Sequence, residues 1–238
     1  MPEFTALWEG GPQFVQAEHF KLGTDCVLLA DFVNSSGRKR GIDLGCASGA
    51  IALLLLWRSP GLHMTGLEIV EEAAKLAEEN MEKNSLQDRS RIICGDIRRH
   101  RELFKSGSFD LVAANPPYFP VERGKLSPDE KRSGARGELS CGLEDICAAA
   151  SYLCCTGGSF SVVYKPERLS ELFCAMTAHG LEPKRLRLVC HRADSAPSLA
   201  LVEGRRGGRP GLSVLPSLIL TGPEGRETEE VLRIYHRI

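Results

Sequence analysis

No two cysteines in this 238-residue sequence stand in a C-x-x-C spacing, although there are nine of them. The count is odd, and the chain is much longer than a disulfide-stapled mini-domain. Most of the cysteines lie in apolar segments such as Ile93-Cys94 and Val189-Cys190, where a free thiol packs as a small hydrophobe. A disulfide framework and a zinc ribbon are both excluded, and a reduced, cytoplasmic protein without a metal site is expected. Long apolar runs are missing too. The strongest, Ile51 to Trp57, is far too short to span a bilayer, so no membrane partner is expected. The opening Met1-Pro2-Glu3-Phe4 has no basic region ahead of an apolar stretch, so no secretory signal is read there. Neither charge is in excess. With 30 Lys and Arg against 31 Asp and Glu, the net charge is −1, so any nucleic acid must be held by local patches. Internal repeats and low-complexity tails are also absent. An ordinary 42% hydrophobic and 26% charged content predicts one globular domain over 1–238.

The sequence does contain a regular alternation. Gly41 to Leu44, Leu62 to Glu68, Arg91 to Cys94, 109 to 114 and Ser159 to Tyr164 read as strands. Each is followed by helical spacing, over 50 to 58, 70 to 84, Arg98 to Phe104, Gly137 to Cys154 and Pro166 to His179. Alternating strands and helices predict an α/β fold, a parallel sheet covered on both faces. Residues 1–36 form a lead. Its start reads as irregular, with aromatics Phe4, Trp8, Phe14 and Phe20, and its end as a helix from Cys26 to Val33 capped by Thr24 or Asp25. At the other end, Arg185 to Val189, Leu199 to Gly204 and Ser213 to Leu220 read as strands with no helix between them. An antiparallel edge over 183–238 is expected. The long irregular segment 119–136 is the candidate substrate loop.

Four residues carry the chemistry. Asn115-Pro116-Pro117-Tyr118 follows the apolar strand 109 to 114. The Asn115 side-chain oxygen accepts hydrogen bonds, and Pro116 lacks an N–H but keeps a carbonyl on a restricted backbone. Two acceptors are thereby held toward one planar amino group, and Tyr118 offers a face for a base to stack on. A Pro-rich turn with a structural Asn is the competing reading. Upstream, Asp43-Leu44-Gly45-Cys46-Ala47-Ser48-Gly49 places glycines at a strand-to-helix turn, where a ligand can approach the backbone. Glu68 closes the next strand, at a position suited to a ribose diol, and Asp96-Ile97 closes the third. A dinucleotide-binding fold or a plain tight turn competes for the glycine loop alone. The four strand ends together form one site.

This set resembles the class I S-adenosylmethionine-dependent methyltransferases over roughly residues 14 to 165. The resemblance implies a Rossmann-like, doubly wound, mostly parallel seven-stranded sheet with an antiparallel C-terminal edge. It also implies S-adenosyl-L-methionine as cofactor. The glycine loop (Asp43, Gly45, Ala47, Gly49) would hold the methionine part, Glu68 the ribose, and Asp96 with Ile97 the adenine. Asn115 to Tyr118 would be the catalytic motif for methylating a planar nitrogen. Ala47 stands where the family usually has its middle glycine, and it is tolerable if the backbone there stays in a region open to side chains. The segments Gln13 to Gln16 and Phe20 to Ala30, and Ala135-Arg136-Gly137-Glu138, resemble the bacterial tRNA adenine-N6 methyltransferases that modify the adenine beside the anticodon of a valine tRNA. That likeness implies tRNA as partner, with Thr24 and Asp25 in the segment that closes over the cofactor.

Two clusters offer RNA-binding cations. From 183 to 209, seven Lys and Arg stand against two acids, including Arg185, Arg187, Arg205 and Arg206. The loop after the motif adds Arg123, Lys125, Arg132 and Arg136. A solvated face is the competing reading for each one. Other substrates compete as well: a glutamine of release factors, whose methyltransferases share Asn-Pro-Pro-Tyr but carry a longer helical lead, or an amino group of rRNA or DNA. A non-catalytic RNA-binding module on the same fold is the reading outside enzymes. Oligomeric state is not readable from the sequence.

Overall fold

The protein is described here by a computed structural model covering residues 4–15, 22–116 and 141–238. Its centre is a sheet in which β3 (Arg40–Leu44), β4 (His63–Glu68), β5 (Ser90–Cys94), β6 (Phe109–Ala114) and β7 (Cys154–Tyr164) all run parallel. β6 shows why this sequence makes such a sheet. Leu111 and Ala113 join one apolar cluster, while Val112 and Ala114 join the other, and each is at most 1% exposed. A strand buried on both faces needs an unbroken apolar run rather than an alternating one.

One layer of helices contains α1 (Thr24–Phe32), α2 (Ala50–Arg58) and α3 (Glu71–Lys83). The short α4 (His100–Leu103) follows β5. α5 (Leu143–Leu153) and α6 (Leu169–Ala178) cover the opposite face, packing Ile146, Leu153, Leu172 and Met176 onto Val112, Phe160 and Val162. Spatial order on one side of β3 is β4 then β5, and on the other β6 then β7. The reversal at β3 is a topological switch point, and ligands of doubly wound sheets bind at the carboxyl ends of the strands beside it.

The C-terminal part builds the remaining end of the sheet. β9 (Pro197–Arg206) pairs antiparallel with both β7 and β8 (Leu181–Cys190). The expected antiparallel pairing is therefore present, and it comes from β9 alone. Seven long strands, β3 to β9, make the expected sheet. The segment from Ser213 to Leu220 is not one antiparallel strand. It forms two short strands, β10 (Ser213–Val214) and β11 (Leu218–Ile219), both parallel to β8. Pro216 between them has no N–H to extend a ladder. A terminal helix, α7 (Glu229–Ile234), capped by Thr228, was not expected.

The lead is also more regular than its sequence implied. β1 (Phe4–Ala6) and β2 (Gln13–Val15) form an antiparallel hairpin. Its outer edge is satisfied by side chains rather than by a third strand. The Asn80 amide accepts from the Val15 N–H (2.8 Å) and donates to its carbonyl (3.3 Å), and Asn84 does the same for Gln13 (2.8 and 2.7 Å). Two asparagines one helical turn apart thus act as a surrogate strand, meeting the rule that buried backbone polar groups find partners. Trp8 stacks on His236 at 4.2 Å, tying the hairpin to the C-terminal end.

Candidate active site

The carboxyl ends of β3, β4, β5 and β6 bring Asp43, Glu68, Asp96 and Asn115 to one end of the sheet, and the first turn of α1 joins them. After β3 the chain turns through Gly45 (φ 75°), Ala47 (φ 47°) and Gly49 (φ 83°). A side chain added at Gly45 would meet nothing within 4 Å, so this turn leaves an open cradle. At Gly49 an added Cβ would lie 3.1 Å from Ala77 and Met81, so glycine there lets the loop sit against α3.

Ala47 departs from expectation. Its backbone lies in the left-handed region, where an L-residue costs roughly 1–2 kcal/mol. Glu68 supplies compensation, because its Oε2 accepts the Ala47 N–H at 2.9 Å. Ala47→Gly should raise stability by about 1 kcal/mol, relief of strain less the extra freedom of the unfolded glycine. Thermal unfolding checks this, and an unchanged or lowered Tm removes strain at Ala47 from the account.

Glu68 is 7% exposed. Its second oxygen accepts the Val70 N–H at 2.8 Å, just ahead of α3. Each oxygen spends one lone pair on the backbone, and an ionised carboxylate has about four, so acceptor capacity remains for two hydroxyls. Asp43 is different. It is 0% exposed, and among the described residues neither oxygen has a hydrogen-bond partner. Burial first, and the charge of Glu68 second, push its carboxyl up to about 7. A buried carboxylate without a partner is costly, and it is a position a cationic ligand group would satisfy.

Asp96 follows β5 and is shared with a residue the sequence reading passed over. Arg98 donates to it from the backbone N–H (2.9 Å), from Nε (2.9 Å) and from Nη2 (2.6 Å). The guanidinium holds this carboxyl below the usual range. Beside it, the Ile97 carbonyl is held by His100 Nδ1 at 2.8 Å.

Asn115 directly follows β6 and precedes the buried Pro116. Its Nδ2 donates to Cys26 Sγ at 3.2 Å. Cys26 lies in the first turn of α1, whose N-cap is Gly23 rather than Thr24 or Asp25. Thr24 is exposed, and Asp25 is half-buried and adds its charge to that of Asp43 around the thiol. The structure thus assembles Asp25, Cys26, Asp43 and Asn115 in one place. Asn80, fully buried, also donates to the Ser48 carbonyl at 2.9 Å, so it links the glycine loop to β2. No spacing in the sequence marked Cys26, Asn80 or Arg98. The only available signals were a polar residue on the apolar side of α3 and a cation two residues after Asp96.

The cations of the 183–209 cluster do not form one patch. Arg185 lies over the Phe32 ring at 4.4 Å and pairs with Glu203 at 2.9 Å. Arg187 bonds Glu230 and the Pro216 carbonyl. Arg206 reaches the carbonyls of Tyr152 and Cys154 at the end of α5, on the opposite side of the sheet. Arg205 is exposed. Three of the four are engaged within the protein. Pro117, Tyr118, Arg123, Lys125, Arg132 and Arg136, with the whole loop 119–136, lie outside the described residues, as do Gln16, Phe20 and Lys21 of the lead and the segment from Ala135 to Glu138. Among the described residues no group of His, Cys, Asp and Glu could hold a metal ion, and no helix is long and apolar enough to cross a membrane.

Residues 17–127 match the methyltransferase small domain. A tRNA1(Val) (adenine(37)-N6)-methyltransferase of Bacteroides fragilis is 30% identical over 182 residues, 76% of each chain. Its counterpart in Tolumonas auensis is 31% identical over 76% of this chain and 75% of its own. The chain belongs to the tRNA1(Val) (adenine-N6)-methyltransferase family. It is a methyltransferase, and its methyl donor is S-adenosylmethionine. A predicted O-methyltransferase from Agrobacterium tumefaciens superposes with a TM-score of 0.73 at 21% identity, covering 90% of this chain and 96% of that one. This likeness confirms the Rossmann-like class I methyltransferase fold that the strand-end motifs implied. The open cradle at Gly45 and the unpartnered Asp43 fit a ligand that carries a cationic amino group, as the donor does.

Proposed function

We propose that the protein methylates the exocyclic N6 of an adenine next to the anticodon of a valine tRNA, at the site where Asn115 meets the glycine loop. The observation that carries this reading is the placement of Asn115 and Pro116 just beyond β6, next to the end of β3, where Asn115 and Asp43 both face Cys26. The names of its relatives supply the substrate. Asp43 would take the donor's ammonium group, the remaining lone pairs of Glu68 the ribose hydroxyls, and Asp96 with Ile97 the adenine of the cofactor. Bound there, S-adenosylmethionine supplies an electrophilic methyl group.

An adenine amino group is a poor nucleophile because its lone pair is delocalised into the ring. The Asn115 amide oxygen and the Pro116 carbonyl would accept its two hydrogens and favour a pyramidal nitrogen. The lone pair would then turn out of the ring and toward the methyl carbon. Taking up the methyl group would leave the nitrogen with one proton to release to water, and the two acceptors would hold it until then. This scheme needs alignment and placed acceptors rather than a strong base. An anticodon-loop base is also less costly to unstack than one in a stem, and Tyr118 would stack on it.

RNA would approach the carboxyl end of the sheet. Lys165 follows β7, and His191 with Arg192 follows β8, all at that end. The loop cations Arg123, Lys125, Arg132 and Arg136 are the other candidates. An enzyme that works on tRNA would act in the cytoplasm. The test is mass spectrometry of nucleosides from purified valine tRNA of a deletion strain. N6-methyladenosine should disappear from the anticodon loop and return on complementation. An unchanged nucleoside profile removes tRNA as substrate.

A further inference from the structure

The Asn115 amide has a carbonyl and an NH2 end of nearly equal size. In the proposed reaction only the carbonyl end is useful toward a substrate amino group. With the amide flipped, two NH2 groups would face each other. Something must therefore hold its orientation. The nitrogen end is engaged by Cys26, with Nδ2 3.2 Å from Sγ. Cys26 is carried on the first turn of α1, 89 residues away in sequence, and α1 is anchored beneath by Leu28 and Leu29, each at most 1% exposed. The thiol is thus placed by a rigid element and not by the loop that carries the motif.

We infer that Cys26 is a positioning residue for methyl transfer, fixing the Asn115 amide with its nitrogen inward so that its oxygen is the group offered to the substrate amine. The inference rests on Asn115 being the catalytic acceptor proposed above. One further feature supports it. Burial pushes the Cys26 thiol up to about 11, opposed by the Asn115 N–H and reinforced by Asp43 and Asp25. It therefore stays a neutral thiol across the working range and acts as an acceptor without becoming a competing nucleophile.

The test is single-turnover and steady-state methyl transfer from labelled S-adenosylmethionine to an unmodified valine tRNA transcript. The variants are Cys26→Ala, Cys26→Ser and Asn115→Ala, and Cys26→Ala is also made in an Asn115→Asp background. Removing one neutral hydrogen bond of this kind should slow Cys26→Ala roughly five- to tenfold in kcat. KM for both substrates should stay within about twofold, since no ground-state contact is lost. The serine hydroxyl accepts the same N–H, so Cys26→Ser should recover most of the rate. Asp has no side-chain N–H, so Cys26→Ala should cause no further loss in the Asn115→Asp background. A merely structural cysteine would lower stability in both backgrounds and would not show this non-additivity. Melting curves of each variant separate that case. A wild-type kcat for Cys26→Ala, or a change confined to KM, overturns the role of Cys26 while an inactive Asn115→Ala leaves the catalytic reading standing. An active Asn115→Ala overturns that reading itself.

Discussion

Asn115→Ala should bind cofactor and tRNA within about twofold of the native protein and transfer methyl at least roughly a hundredfold more slowly. That is the scale of loss when one preorganised hydrogen-bonding group is taken from a reacting centre. The binding half of the expectation follows from the structure. Asn115 supports neither the Ala47–Glu68 contact nor the Asn80 bridge that shape the cofactor loop. The rate half follows from timing. The amide oxygen interacts more strongly as the adenine nitrogen becomes pyramidal and its hydrogens more acidic, so its loss falls on kcat rather than KM. Asn115→Asp keeps an acceptor, loses the N–H toward Cys26 and adds a charge near Asp43 and Asp25, so partial activity is expected. Single-turnover transfer and separate binding isotherms measure the two halves. Transfer near the native rate by Asn115→Ala would remove the motif as the reacting centre.

The elements that hold this site were legible where side-chain period and burial coincide. The helix over 50 to 58 and the strand over 109 to 114 have the bounds read from the sequence, because both are apolar through their buried residues and end at polar or glycine positions. The acids closing each strand were legible for the same reason, since a charge after an apolar run marks a strand end. What escaped was set by tertiary partners. Asn80 and Asn84 carried no signal in the sequence, yet they complete the edge of a hairpin 65 to 71 residues away. Cys26 looked like one more buried hydrophobe. Arg185, Arg187 and Arg206 looked like a patch for RNA. On adjacent strands, however, alternation sends neighbouring residues to opposite faces, and each long side chain found a carboxylate or a carbonyl of its own chain. The condition set for Ala47, a backbone open to side chains, is not met, for a related reason. The sign of a backbone angle is fixed by the turn it must close and not by the residue that happens to occupy it.

The same logic of unmatched groups makes Asp43 the most informative titrating group in the apoprotein. Its carboxyl sits at about 7 in the folded chain against an ordinary value of 3.8. A raised acid binds its proton more tightly when folded, so the contribution of Asp43 to stability is greatest below about pH 4, falls as pH rises toward 7 and levels off above it. The full deficit is on the order of 4 kcal/mol for a shift of this size, at a site without exposure to screen it. Asp43→Asn should therefore remove this slope. Chemical denaturation should find the variant close to the native apoprotein at pH 4 and clearly more stable at pH 8. Cofactor binding should run the other way. An ammonium group placed against the carboxylate favours its ionised form, so native affinity should rise between pH 5.5 and 7.5 with release of a proton. Asp43→Asn should bind at least tenfold more weakly with little pH dependence, the loss expected when a charged hydrogen bond is removed, roughly 1.5–3 kcal/mol. Calorimetry in buffers of different ionisation enthalpy reads the proton directly. Stability that is flat with pH in the native apoprotein, or affinity unchanged in Asp43→Asn, would mean that the buried carboxylate answers to something other than the cofactor. The apoprotein is thus expected to carry an electrostatic cost at Asp43 that binding relieves, so the same residue that destabilises the empty site selects a cationic ligand for it.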